Sequence, residues 1–478
     1  MKPFIFLLVF VLFSKIANTQ QYFNERFGFG FPTTSDGALN ALEIEDGYVI
    51  NGGTGDSLNP YWPQLGMIKL NHAGEIQWKK TWGDTISQWY YAAMGSLIKH
   101  WNAYYTIGSK NTWYNGNRHT ETLLIKYDTN FDTLWTALYG EKYLPYDSSY
   151  IARDFTGIET GFVVVGTLEI NYGEVHEVYL LKMDSVGNVL WEHNYPDEDS
   201  FYSGTSVITT TDKGYAIGAY KWVVGPYGAS VGDPVVIKTD SLGNKEWELN
   251  LGGQYQDGTA ILCPSEDGNI FAAARFDVDS IYYDGYDSRV QLTKLDNSGN
   301  IIWNYVYGDK VYYENVSNIR PVNSNGVIIT GSHWESAPNY VGFMLRVDNS
   351  GDSLWYRQYA VLNGDNSMNF LYDAIPTSDG GFLGAGYCYP VNPDTGTQDA
   401  WAIKVDSLGC TSPYDCWVGQ KELKTVTNTP EIVIYPNPAS GTFTIRNNKS
   451  GNDSWQVEIF DIYGRKLEDA SNSRRINL

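Results

Sequence analysis

The chain has 478 residues, with 33 Lys and Arg against 55 Asp and Glu, a formal net charge of −22 and a pI near 4.6. That balance excludes a nucleic-acid binder, which needs surplus cations for phosphate contacts, and argues against docking on anionic lipid. Charged residues at 18% and aromatics at 15% exclude long disordered tracts and coiled coils, while 48 Gly, 37 Tyr and 16 Trp suit many short strands joined by turns.

The N-terminus reads as an export signal. Lys2 precedes the apolar run Phe4–Phe13, followed by Ser14, Lys15 and small or polar residues. This order of charged, apolar and cleavable regions predicts a signal peptide over residues 1–19, cut after Thr19 with Ala17 at the minus-three position. The apolar run is too short to span a bilayer, which takes about 20 residues. No later segment is apolar enough for a membrane helix.

The middle of the chain repeats. Seven phrases resemble one another: IKLNHAGEIQW ending at Trp78, IKYDTNFDTLW at Trp135, LKMDSVGNVLW at Trp191, IKTDSLGNKEW at Trp247, TKLDNSGNIIW at Trp303, LRVDNSGDSLW at Trp355, and IKVDSLGC at Cys410. The Trp residues are 57, 56, 56, 56 and 52 positions apart. Each repeat holds about four strands: a moderately apolar stretch, a β-branched run after a turn such as Glu45-Asp46-Gly47, the IKxD strand, and a last strand carrying W-x-x-x-Y-G. Four antiparallel strands repeated around an axis make a β-propeller. A Trp at one fixed strand position per repeat is expected to pack between blades, and the repeated Asp is expected to form the turn.

Repeat seven lacks its last strand. The stretch Phe23-Asn24-Glu25-Arg26-Phe27-Gly28 has the same pattern as Trp303-Asn304-Tyr305-Val306-Tyr307-Gly308. The predicted fold is therefore all-β, a seven-bladed β-propeller over residues 20–417 closed by an N-terminal strand, since closure removes an exposed sheet edge.

Export permits disulfides among Cys263, Cys388, Cys410 and Cys416. A local pair of Cys410 and Cys416 is expected, with Cys388 as a competing partner and Cys263 as a buried thiol. The six His are scattered, and no Cys or His spacing suits zinc. No cofactor is expected. Calcium is the one metal considered, at Asp277, Asp279, Asp284 and Asp287, whose spacing is not that of an EF-hand.

In a four-stranded blade, the loop after the second strand and the loop between blades share one face. These loops are long, variable and aromatic, and such loops on a rigid scaffold carry binding. The expected ligand-binding residues are Trp62, Trp89, Trp113, Trp222, Tyr283 and Trp334. No repeat carries a singular acid–base motif on its inner strand. The expected function is a non-catalytic module that binds an extracellular protein or glycan as a monomer. The alternative is a secreted carbohydrate-active hydrolase or lyase using pocket carboxylates, because glycosidic chemistry needs two positioned acids.

Two resemblances follow. The D-x-x-G-x-x-x-W phrase is similar to the tryptophan-docking phrase of quinoprotein-type propellers and their outer-membrane assembly relatives, without the Thr before Gly and without the adjacent-cysteine pair; it implies propeller geometry and does not carry over a cofactor. After a linker over residues 418–430 come Tyr435-Pro436-Asn437-Pro438 and Val457-Glu458-Ile459-Phe460-Asp461-Ile462-Tyr463-Gly464-Arg465. Residues 431–478 resemble the type A C-terminal sorting domain of the type IX secretion system. The resemblance implies export by that machinery, then release or attachment at the outer-membrane cell surface. The family continues into a Gly-x-Tyr strand and a Lys-bearing strand where this sequence stops, so a truncated sorting domain is expected. The whole chain resembles secreted β-propeller proteins that carry such a tail.

Overall fold

A computed structural model describes residues 21–413 apart from 31–34, 56–62, 93–94, 115–116, 141–147, 171–173, 198–200, 225–229, 254, 278–287, 309–312, 324, 337–338, 363–366 and 391–396, and then residues 432–435, 442–447, 456–460, 466–471 and 475–477. The predicted signal peptide (1–19), the linker (418–430), and Pro436, Asn437, Pro438, Tyr463 and Gly464 lie outside the described residues. Among the described residues every regular element is a strand.

Blade 1 is the antiparallel sheet Gly37–Ile44, Gly47–Gly55, Pro63–Leu70 and Ile76–Trp82. Blades 2 to 6 repeat that order, with innermost strands at Gln88–Tyr91 continued by Leu97–His100, then Ser149–Ile158, Tyr202–Thr209, Ile261–Pro264 and Tyr313–Pro321. Blade 7 has Ser367–Pro376, Phe382–Pro390 and Asp399–Val405, and its fourth strand is Phe23–Phe27. That N-terminal strand pairs antiparallel with Asp399–Val405, placing Phe23 opposite Lys404. The register matches Trp303 opposite Lys294 in blade 5 and Trp355 opposite Arg346 in blade 6.

Among the described residues the buried apolar side chains fall into seven clusters, and each lies between two neighbouring blades. An open fan of seven blades would have six such interfaces. The seventh joins Leu383, Ala385 and Ala402 of blade 7 to Ala41, Tyr48 and Ile68 of blade 1, so the ring is closed. This arrangement removes apolar surface from water between the sheets, the dominant favourable term in folding.

The repeated phrase has a local explanation. Asp184 Oδ1 accepts the backbone N–H groups of Val186 and Asn188 at 2.9 and 2.8 Å, and Asp240, Asp296, Asp348 and Asp406 do the same in their turns. The Gly three positions after the Asp adopts φ near +85°, which a Cβ would strain. The repeated Lys turns back to the Asp of the preceding hairpin: Lys69 to Asp46 at 2.6 Å, Lys238 to Asp212 at 2.7 Å, Lys294 to Asp267 at 2.6 Å and Lys404 to Asp379 at 2.9 Å.

Each repeated aromatic lies against the equivalent turn of the next blade. The rings of Trp135, Trp191, Trp247, Trp303 and Trp355 pack against Gly187, Gly243, Gly299, Gly351 and Gly409. Trp78 instead meets Phe131, which takes the glycine position at φ 59°, with ring centroids 5.5 Å apart. Trp355 is buried, and its Nε1 donates to Ser407 O at 3.0 Å; Trp247 Nε1 donates to Asn297 O at 3.0 Å.

Cys410 is disulfide-bonded, while Cys263 and Cys388 are buried free thiols. Cys416, the remaining cysteine, lies outside the described residues. In the tail, Ile432–Tyr435, Thr442–Asn447 and Arg475–Asn477 form one sheet, and Gln456–Phe460 pairs with Lys466–Ser471.

Candidate functional site

The inner strands of blades 1, 3, 4, 6 and 7 carry a β-bulge at one repeat position, at Leu39, Arg153, Thr205, Ser317 and Tyr372. A bulge leaves one residue unpaired and re-aims its neighbours. The residue after each bulge is Asn40, Asp154, Ser206, Asn318 or Asp373, and Ser96 holds the same place in blade 2. These short polar side chains clasp adjacent blades. Asn40 Oδ1 accepts Ser96 N–H at 2.8 Å, Asp154 Oδ2 accepts Val207 N–H at 2.8 Å, Ser206 Oγ accepts Leu262 N–H at 2.9 Å, and Asp373 Oδ2 accepts Ala41 N–H at 3.2 Å.

A cavity of about 190 Å³ sits among these strands, lined in part by Asp154, Asn318, Arg320, Ile98 and Cys263. Arg320 donates through Nε and Nη2 to both oxygens of Asp373, at 2.9 and 3.0 Å, and Asn318 Nδ2 adds a bond at 3.0 Å. Burial raises the Asp154 carboxyl to about 7, against the lowering pull of Val207 N–H and the Arg320 charge. The inner strands thus bring acid and base groups together across blades, although no single repeat carries an acid–base motif. They were hidden because each sits on a different blade and only the bulges turn them together. Hydrogen bonds hold both carboxyls in place. Asp154 is held by the N–H groups of Phe155 and Val207, and Asp373 by Ala41, Asn318 and Arg320. These bonds fix the orientation of both carboxyls, although each oxygen keeps a further lone pair.

The opposite face, which carries the loops after the second strands, is more open. A cavity of about 390 Å³ is lined in part by Leu39, Thr54, Tyr90, Tyr372, Tyr387 and Gln398. Tyr372 and Tyr387 stack at 5.5 Å with planes 29° apart. An adjoining cavity of about 230 Å³ is lined in part by Tyr90, Tyr91, Asn111, Arg118, Thr120 and Arg153. Tyr90, 39% exposed, is the wall common to both. The bulges of blades 1, 3 and 7 thus deliver Leu39, Arg153 and Tyr372 to this face.

The expected binding residues are placed differently. Trp62 and Tyr283 lie outside the described residues, as do Asp279, Asp284 and Asp287. Trp89, Trp113, Trp222 and Trp334 lie in strands rather than loops, and none lines either cavity. Trp89 donates to Ser87 Oγ at 2.8 Å beneath the Lys110 ammonium, 4.9 Å from its ring. Trp222 packs edge-on to Phe201 and Tyr220, and Trp334 stacks on Tyr340 at 5.8 Å. Trp113 is exposed and stands across the ladder from Arg118. Asp277 is buried and paired with Arg275 at 3.3 Å. Among the described residues no group of three or more His, Cys, Asp or Glu is arranged to hold a metal ion. Tyr372 and Tyr387 gave no signal in the sequence beyond a departure from the residues at equivalent positions.

Residues 433–478 match the family described as the secretion system C-terminal sorting domain. With the fold, that tail defines a secreted or cell-surface β-propeller of the type IX secretion class, engaged by that machinery. No helix among the described residues is long and apolar enough to cross a membrane. No curated protein matches the chain. Among solved structures, similarity extends to a protein of unknown function from Dyadobacter fermentans (10% identity, 80% of this chain and 98% of that one, TM-score 0.43). It extends also to an ulvan lyase (8%, 82% and 96%, TM-score 0.47) and an apocarotenoid oxygenase from Synechocystis (10%, 82% and 95%, TM-score 0.40). At these scores the likenesses carry nothing about activity.

Proposed function

We propose that the protein is a non-catalytic extracellular binding module that captures a glycan in the tyrosine-lined basin. The observation that carries this reading is the meeting of Tyr90, Tyr372 and Tyr387 from blades 2 and 7 around one open cavity with Gln398 at its edge. Flat amphipathic rings offer stacking area to the apolar faces of sugars, while phenol and amide groups offer hydrogen bonds. Rigid inner and second strands hold these rings, so little order is lost on binding.

One observation favours the hydrolase or lyase alternative: the Asp154 carboxyl, raised to about 7, could hold a proton at neutral pH. Against it, the neighbouring inner-strand carboxylate Asp373 is tied to Arg320 through both oxygens, so it does not supply the second free acid that glycosidic chemistry needs. The test is a glycan array probed with the full chain, followed by incubation of each bound glycan and analysis for cleavage. Binding without turnover supports the module. Turnover abolished by Asp154→Asn supports the enzyme. Binding only to proteins overturns the glycan reading.

A further inference from the structure

We propose that the cavity between blades 2 and 3 is an anion subsite, in which Arg153, with Arg118 beside it, takes the carboxylate or sulfate group of an acidic glycan. The inference rests on the glycan reading and adds the charge class of the ligand.

Arg153 is the bulge residue of blade 3, where blades 1, 4, 6 and 7 carry Leu39, Thr205, Ser317 and Tyr372, all uncharged. It is half-buried, its Nε makes no hydrogen bond, and no carboxylate of the described residues lies in ion-pair range. The nearest acidic influence is Glu169, which is itself paired with Arg118 at 3.2 Å. A half-buried cation whose nearest carboxylate is already paired with another guanidinium is incompletely compensated, and an anionic ligand offsets that cost. The cavity receives two guanidinium side chains and, among the described residues, no Asp or Glu lines it, in a chain of net charge −22. Guanidinium is planar and binds carboxylate or sulfate oxygens in pairs. Asn111 and Thr120, bonded to each other at 2.8 Å, add polar groups to the same wall. Tyr90 is common to both cavities, so the larger one adjoins the cavity that holds Arg153.

The test uses the full chain on paired oligosaccharides: oligogalacturonates beside their methyl esters, and sulfated galactans beside their desulfated forms. The native protein is expected to bind the acidic member of one pair at least tenfold more tightly, and the pair that responds distinguishes uronate from sulfate. Arg153→Gln is expected to erase that preference while leaving neutral binding intact, and Arg153→Lys to retain part of it. Tyr372→Ala is expected to weaken acidic and neutral members alike. Should Arg153→Gln misfold, raising the salt concentration on the native protein serves instead, and is expected to weaken acidic binding selectively. Equal binding of both members, or an unchanged preference in Arg153→Gln, overturns the anion subsite and leaves the glycan reading standing. Binding to no oligosaccharide overturns both.

Discussion

The ring of Phe23, in the strand that completes blade 7, lies over Gly74 in the last turn of blade 1, so closely that a methyl group on Gly74 would sit 2.6 Å from the ring. Phe23 thereby repeats what Trp135, Trp191, Trp247, Trp303 and Trp355 do at the other interfaces. The two ends of the propeller are joined by the same contact that joins its interior blades.

Deleting residues 22–28 should therefore destabilise the propeller far more than deleting residues 431–478. The deletion strips the outer edge of blade 7 of its ladder partner and uncovers the cluster around Phe27. Thermal melts of the two deletions check this. Equal melting temperatures would contradict closure by the N-terminal strand.

The repeated aromatics should differ in cost according to burial. Trp355→Ala is expected to cost about 3 kcal/mol or more, since the ring is buried and its N–H is bonded to Ser407 O. Trp113→Ala, 40% exposed, is expected to cost under about 1 kcal/mol. Denaturant unfolding of both variants measures the difference. A costlier Trp113 would invert the assignment of packing and surface.

Stability should peak at about pH 5. Burial raises Asp154 and Asp257 to about 7 and Asp36 to about 6 in the folded state. Across the window from the ordinary carboxylate range up to about 7, the folded protein holds more protons than the unfolded chain, so stability falls as pH rises. On the acid side, burial opposes the charges of Asp84, Asp212 and Asp267, but hydrogen bonds, led by those from Ser87 and the ammonium groups of Lys238 and Lys294, outweigh it and hold these groups at about 2. Their contribution is lost as pH falls toward 2. Melting curves from pH 3 to pH 8 check both limbs, and Asp154→Asn should flatten the upper one. A melting temperature that climbs steadily from pH 5 to pH 8 would contradict the sign.

The ring was legible in the sequence because a repeat turns one packing solution into a visible period. Phe23 could be matched to Trp303 by spacing alone, and the absent strand of repeat seven named its own substitute. The basin was not legible. Tyr372 sits in an ordinary apolar strand, and nothing in its neighbours announces the bulge that turns it outward. Arg320 and Asp373 are 53 residues apart and meet only through the ring geometry. The Trp-rich segments drew attention to the face on which the basin opens, but indoles such as Trp89 and Trp222 are spent on their own blades. Arg153 stood out in no way until its place beside Arg118 in one cavity wall could be seen.

The basin itself is tested most directly by calorimetric titration of the tightest array glycan into the native protein and a Tyr90→Ala/Tyr372→Ala double variant. With each ring contributing about 1 kcal/mol of stacking, the double variant should lose at least about tenfold in affinity while its melting temperature stays close to native. Unchanged affinity in that variant, or loss on Trp222→Ala or Trp334→Ala instead, would contradict a tyrosine-lined glycan site.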